Sequence, residues 1–324
     1  MGTQSFYEFL GGLELAMNNR QRRWVRDRLV GETGREQLAN LWYRYLGEQG
    51  YTGSLTDRWA AWMRDVQPGT FNPQSLFLNG EQGWWFDNSD LSTLFQDSAG
   101  TIPVTGAGQP VGRQLDKSGN GNHRFQAAAA SRPILRLNAA TGAYYLETDG
   151  VDDWMQTNAI NFTGTDKVSL FSGVRKLSDA AISVICELGA GADAISLVAS
   201  AITSGVNRFS YYAAIDTTAT NYAVGRPYTA PTTDVVSAIL RRGSATPSAT
   251  LQINGIEPPD YVTAGSGVAG NFGNYPAYFF RRGGTLLPFN GHEYGNICVG
   301  RLAAAAEITA AEHMLARRTG VIIL

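Results

Sequence analysis

Cysteine is scarce: Cys186 and Cys298 are the only two in 324 residues. That excludes a disulfide framework. Both lie in apolar, strand-like runs, which reads as two buried free thiols. Three histidines, widely separated, give no zinc-ligand spacing. The formal charge is -2, from 26 basic and 28 acidic residues, which excludes the broad positive field of a general nucleic-acid or anionic-membrane binder. No apolar run reaches membrane-spanning length. The opening Met1-Gly-Thr-Gln-Ser-Phe-Tyr-Glu8 lacks the basic and then apolar layout of a secretion signal. A Gly-Lys-Ser/Thr phosphate loop, a dinucleotide fingerprint and a nucleophile elbow are all missing.

What is present falls into two texts. The first, residues 1–67, reads as helices. Ser5-Phe-Tyr-Glu8 is a capping box followed by Phe6, Phe9, Leu10, Leu13 and Met17 at helical spacing. Thr33-Gly-Arg-Glu36 opens a second helix carrying Leu38, Leu41, Trp42, Tyr45 and Leu46. Ser54-Leu-Thr-Asp57 opens a third, with Trp59 and Trp62. So small a helical region is marginal alone. Trp24, Trp42, Trp59 and Trp62 therefore read as an attachment surface for another domain, subunit or protein. Arg20, Arg22, Arg23, Arg26 and Arg28 are diluted by Asp27, Glu32 and Glu36, and suit an acidic partner protein or a solvated face rather than nucleic acid.

Residues 68–82 carry Pro68, Gly69, Asn72, Pro73, Asn79 and Gly80, which is linker chemistry. From Gly83 onward short β-type runs take over. Examples are Ala143–Thr148, Val168–Val174, Ala181–Leu188, Val235–Leu240 and Ala249–Ile253, with Asn254-Gly255 as a tight-turn signal. Many strands without intervening helices predict an antiparallel β-sandwich over 83–324. One terminal helix follows, predicted to start at Thr309-Ala-Ala-Glu312 and to stop at Gly320.

Several of these residues carry a resemblance. The run Gly83-Trp84-Trp85-Phe86-Asp87, Asp90 to Phe95, Asp116-Lys-Ser-Gly-Asn-Gly-Asn-His123, Arg132-Pro133-Ile134-Leu135 and Asp149-Gly-Val-Asp-Asp-Trp154 resembles the concanavalin A-like, laminin-G-like jelly-roll domains of tailed-phage virion proteins. The strand Gly291–Gly300 and the ending Thr319-Gly320-Val321 fit the same family, and Tyr43–Asp57 is similar to a short module of phage fibre proteins. The resemblance implies a virion component of tail, collar or baseplate, assembled in the host cytoplasm. It would form a homo-oligomer, a trimer first, contacting other virion proteins and offering its jelly roll to host surface glycan. The alternatives are a purely structural decoration or anchoring protein without sugar binding, and a glycan-degrading enzyme.

The candidate site residues follow. Asn120, Asn122 and His123 belong to a polar loop that either binds sugar or is a self-satisfied turn with His123 pinning it. Trp84, Trp85 and Trp154 offer ring faces suited to a sugar, or are core. Trp84 and Trp85, being adjacent in a strand, must face opposite ways. Asp149, Asp152 and Asp153 are candidate Ca²⁺ ligands or a capped turn. Glu147-Thr-Asp149-Gly-Val-Asp152 resembles the Glu-x-Asp-x-x-Glu signature of laminarinase-type glycosidases. Asp152 is a methylene short and Gly150 interrupts the strand, so the expectation is no enzyme activity.

Overall fold

Alternation of apolar residues on two faces governs the β region. In Lys167–Lys176, Val168, Leu170 and Val174 enter one core while Phe171 enters another. A strand with cores on both sides lies in the middle of three layers. In the computed structural model the described residues are 71–323, apart from 190–194, 200–201, 204–205, 208–210, 215–221, 226–228, 243–248, 258–261 and 265–269. Upstream, only Gly47, Thr52 and Gly53 are described. The helices expected in 1–67, and with them Trp24, Trp42, Trp59 and Trp62, lie outside the described residues. The chain divides into two compact units, Met1–Arg64 and Asp65–Leu324. All elements below belong to the second.

Numbered in chain order, sheet A holds β1 (Gly83–Asp87), β5 (Ile134–Leu137), β6 (Tyr144–Asp149), β8 (Lys167–Lys176), β15 (Thr232–Arg241), β16 (Ala249–Ile253) and β19 (Asn290–Val299). Their order is β16-β15-β8-β19-β6-β5, with β1 also on β19. Sheet B holds β2 (Leu94–Phe95), β3 (Arg113–Gln114), β4 (Arg124–Phe125), β7 (Met155–Asn161), β9 (Ser183–Leu188), β10 (Ser196–Ala199), β13 (Tyr211–Ala214), β14 (Tyr222–Gly225), β17 (Val262–Ala264) and β18 (Asn274–Phe279). Its order is β17-β14-β13-β10-β9-β18-β7-β4-β3-β2. A separate ribbon pairs β11 (Ile202–Thr203) with β12 (Val206–Asn207). The pairings within both sheets are antiparallel among the described residues. A mainly β, two-sheet antiparallel body with one terminal helix is thus the architecture.

Between the sheets lies the larger core, with Trp84, Phe86, Leu146, Leu170, Leu188, Leu251, Phe279 and Phe280 among its members. Each such fully buried aliphatic or Phe side chain contributes about 1.5–3 kcal/mol. This core also contains an ion pair between the sheets. Arg124 on β4 and Glu293 on β19 are both fully buried, with Arg124 Nη2 2.5 Å from Glu293 Oε2. Arg124 Nη1 donates to Glu293 Oε1 (3.1 Å), and Arg124 Nε donates to Gln114 Oε1 (2.9 Å). Asn88 completes the shell, its Nδ2 donating to the Glu293 carbonyl at 2.5 Å. The guanidinium carbon lies 4.5 Å from the centroid of Phe86 and 4.9 Å from that of Phe279.

The second core lies on the other face of sheet A. There α1 (Ala305–Thr319) packs on β15, β8 and β19, bringing Ala311, Met314 and Leu315 onto Phe171, Val235 and Ile297. Gly173 permits the approach, since a Cβ there would sit 2.9 Å from Thr319 Cγ2. The helix begins earlier than its sequence signal at Thr309. Its N-cap is Ala304, whose N–H donates to Glu307 Oε2 at 2.7 Å, and Glu307 also pairs with Arg301. The helix therefore starts where a carboxylate and an arginine fix the chain, with its N-cap five residues ahead of Thr309. It stops at Gly320 in the left-handed conformation, as expected. The stretch read as linker is not loose throughout. Pro73–Phe77 forms a 3-10 turn capped by Asn72, and Leu76 and Phe77 join the second core. Cys186 and Cys298 are buried free thiols. Burial pushes both thiols up, so neither is a ready nucleophile.

Candidate functional site

The polar loop 116–123 is turned inward, onto the start of β1. Asp116 Oδ1 accepts from Trp85 N (2.9 Å) and Ser118 N (2.8 Å), and its Oδ2 accepts from Asn122 N (3.0 Å). Asn120 Nδ2 donates to the Glu81 carbonyl and Asn122 Nδ2 to that of Gly83, at 2.9 and 2.7 Å. His123 Nδ1 accepts from Asp116 N at 2.9 Å. Burial, with Arg113 adding to it, lowers the His123 pKa and keeps that nitrogen free of a proton. The side chains named as sugar ligands are thus engaged in holding the loop to β1.

Trp84 and Trp85 do face opposite ways, and both are buried. Trp84 enters the core between the sheets, its Nε1 donating to Asn296 Oδ1 at 2.7 Å. Trp85 enters the core beneath α1, with Lys117 Nζ 4.6 Å from its ring centroid. Neither ring is open to solvent as a stacking platform. Trp154 is half-buried, tilted against Tyr278 and set tightly against Gly284.

Asp149, Asp152 and Asp153 do converge, each offering a carboxylate oxygen within 4.8 Å of the others. Those oxygens also serve the turn. Asp149 Oδ1 accepts from Val151 N and Asp152 N, Asp153 Oδ2 from Asp149 N, and Asp152 Oδ2 from the Ser131 hydroxyl. Burial, and then the adjacent carboxylates, push Asp153 up to about 7. Three carboxyls supply part of the six or more oxygens that Ca²⁺ takes.

Strand register assembles another group. On the outer face of sheet A, beyond the part that α1 covers, β6 presents Tyr145 and Glu147, β19 presents His292, and β8 presents Arg175. His292 lies opposite Glu147 on one side and Arg175 on the other. The Tyr145 and His292 rings stack at 4.2 Å and 21°, and Tyr294 leans on Tyr145 at 5.1 Å. Arg136 on β5 donates from Nε to Glu147 Oε2 at 2.8 Å, with the two side chains 43% and 38% exposed. Arg175 is exposed.

Burial, reinforced by Arg175 and Arg136 and opposed by Glu147, lowers the His292 pKa to about 4, so its ring is neutral at pH 7. Its Nδ1 is buried with no hydrogen-bond partner. Half-open aromatic faces, a neutral imidazole, a carboxylate and two guanidinium groups form a stripe able to stack on a ring and to hydrogen-bond hydroxyls. Glu147 was singled out in the sequence only for its spacing from Asp149. His292 and Arg175 gave no local signal, because register across three strands sets His292 between Glu147 and Arg175.

No family model matches the chain, and no curated protein does. Solved structures similar to it include the binding domain of botulinum neurotoxin serotype C1, at 12% identity and a TM-score of 0.47, covering 75% of this chain and 53% of that one. Domain 4 of AbnA, an extracellular arabinanase from Geobacillus stearothermophilus in complex with arabinotriose, is 12% identical with a TM-score of 0.44, covering 61% and 91%. Trypanosoma rangeli sialidase is 10% identical with a TM-score of 0.37, covering 71% and 32%. The chain spans about half the length of the neurotoxin structures it matches. Likenesses this distant assign neither a residue nor a ligand.

Proposed function

We propose that the β unit is a carbohydrate-binding module of a tailed-phage virion component, and that the stripe on sheet A is where a host surface glycan docks. The observation that carries the binding part is the Tyr145–His292 stack, flanked by the Arg136–Glu147 pair and by Arg175 on an open strand face. Aromatic faces take the apolar side of a pyranose, and paired charged groups take its hydroxyls. A sandwich suits the task because its paired strands hold such groups in fixed register. The virion part rests on the Gly83–Trp154 run and the Gly291–Val321 ending, whose pattern is similar to phage jelly rolls. On this reading the chain works as a homo-oligomer, a trimer, which turns weak single-site binding into firm attachment.

The test is a glycan array probed with the full chain and its Tyr145→Ala and Arg175→Ala variants. Retention on host lipopolysaccharide or capsule is expected, reduced about tenfold or more in each variant. Equal retention by all three would move the site elsewhere. A blank array with folded protein would leave a decoration or anchoring role.

A further inference from the structure

Strand β15 adds a further group to the stripe on sheet A. Register sets Thr233 opposite Arg175, just as it sets Arg175 opposite His292 and His292 opposite Glu147. Residues paired directly across strands point to the same face of a sheet. A row of Glu147, His292, Arg175 and Thr233 therefore crosses β6, β19, β8 and β15. Adjacent strands lie about 4.8 Å apart, so the backbones carrying Glu147 and Arg175 are about 10 Å apart. Between them lies His292, with Tyr145 stacked on its ring.

The two charged members of the row differ. Glu147 is compensated, since its Oε2 accepts from Arg136 Nε at 2.8 Å. Arg175 is exposed and has no hydrogen-bond or ion-pair partner among the described residues. It lies among rings instead of carboxylates. Its positive charge disfavours a proton on His292 and favours the ionised forms of Tyr145 and Tyr294. The acidic neighbours in sequence are turned into the core and already paired: Asp234 beside Thr233 accepts from the Tyr211 hydroxyl, and Glu293 beside His292 holds Arg124. Two guanidinium groups against one carboxylate leave the stripe one positive charge over. Thr233 is half-buried, and its hydroxyl has no hydrogen-bond partner among the described residues.

These groups select the ligand. A guanidinium presents a planar fork that matches a two-oxygen acceptor, and a hydroxyl beside it adds another donor. One surplus positive charge matches the single negative charge of a carboxylate, whereas a phosphate monoester carries about -1.5 to -2. We infer that the glycan taken by this stripe is acidic, a sugar residue whose ring lies on the Tyr145–His292 stack and whose carboxylate is held by Arg175, with Thr233 donating beside it. This rests on the carbohydrate reading of the same stripe and adds the charge of the sugar to it.

The test is an array on which uronic-acid glycans are each printed beside their methyl esters, with neutral and phosphorylated glycans alongside. The ester keeps the sugar ring and removes the charge. The full chain should hold the acid about tenfold more tightly than its ester. In Arg175→Gln that ratio should fall to about one, and Arg175→Lys, which keeps the charge but not the fork, should restore part of it. Thr233→Val should lower the ratio roughly threefold. A thermal melt of each variant checks that it is folded. Equal retention of acid and ester by the parent overturns the inference and leaves the glycan reading standing. An acid preference that Arg175→Gln retains, or retention confined to phosphorylated glycans, overturns it as well. A blank array overturns both readings together.

Discussion

Glu312 is the residue at which acidity and packing meet most directly. It lies on α1 at 3% exposure, facing sheet A, and its Oε1 has no hydrogen-bond partner. Burial pushes its carboxyl from 4.5 up to about 7, against the lowering influence of the nearby Ser237 hydroxyl. The folded state therefore holds the proton longer than the unfolded chain does. Below pH 4.5 both states are protonated and there is no loss. From 4.5 to about 7 the unfolded chain releases its proton first, so stability falls, and above 7 the loss is complete. The full effect is on the order of 3 kcal/mol. Glu312→Gln should match the parent near pH 4 and exceed it by roughly 1–3 kcal/mol at pH 8 in urea denaturation. A difference independent of pH would contradict this. Gly83 is a second such residue. Its φ is +144° and a Cβ would lie 1.9 Å from the Cys298 carbonyl oxygen, so Gly83→Ala should lower Tm markedly in a thermal melt.

Among the elements, β4 and β19 are joined across the core by Arg124 and Glu293, 169 residues apart. Removing either partner leaves a buried charge without its counterpart, at a cost of about 3–5 kcal/mol. Replacing both by apolar groups of similar size removes that penalty. Arg124→Met and Glu293→Met should therefore each destabilise strongly, while the double variant should be markedly less destabilised than their sum. A double-mutant cycle by urea denaturation measures this, and strictly additive losses would show that the pair is not coupled.

For the whole molecule, the layered arrangement decides which faces remain available. The helix α1 covers part of the outer face of sheet A and leaves the Tyr145–Arg175 stripe half open. If the chain is a trimer, binding to a dense glycan surface should exceed binding to the free sugar by about 10²- to 10⁴-fold. Light scattering on the purified chain, followed by surface and solution binding, tests this. A monomer with equal affinity in both formats would contradict it.

Local patterns reached some of this fold because they act over a few residues. Asn254 and Gly255 have φ of +55° and +80°, as a tight hairpin turn requires, and Gly320 ends α1 at φ +79°. Short runs of β-forming residues marked β8 and β15, which are buried on both faces along most of their length. The start of α1 lies ahead of its sequence signal because Ala304 has no capping side chain, and Glu307 fixes the cap by accepting from Ala304 N–H and pairing with Arg301.

The sequence by itself determined the strand-rich body, the opposite facing of Trp84 and Trp85, and the turns, since each depends on backbone geometry within a few bonds. Only the tertiary structure decided that Trp84 and Trp85 are both buried, that Asn120 and Asn122 hold the start of β1 while His123 holds Asp116, and that Tyr145, Glu147, Arg175 and His292 share one face. Those outcomes depend on strand register and on which layer covers which side, and both are set by contacts between residues far apart in the chain.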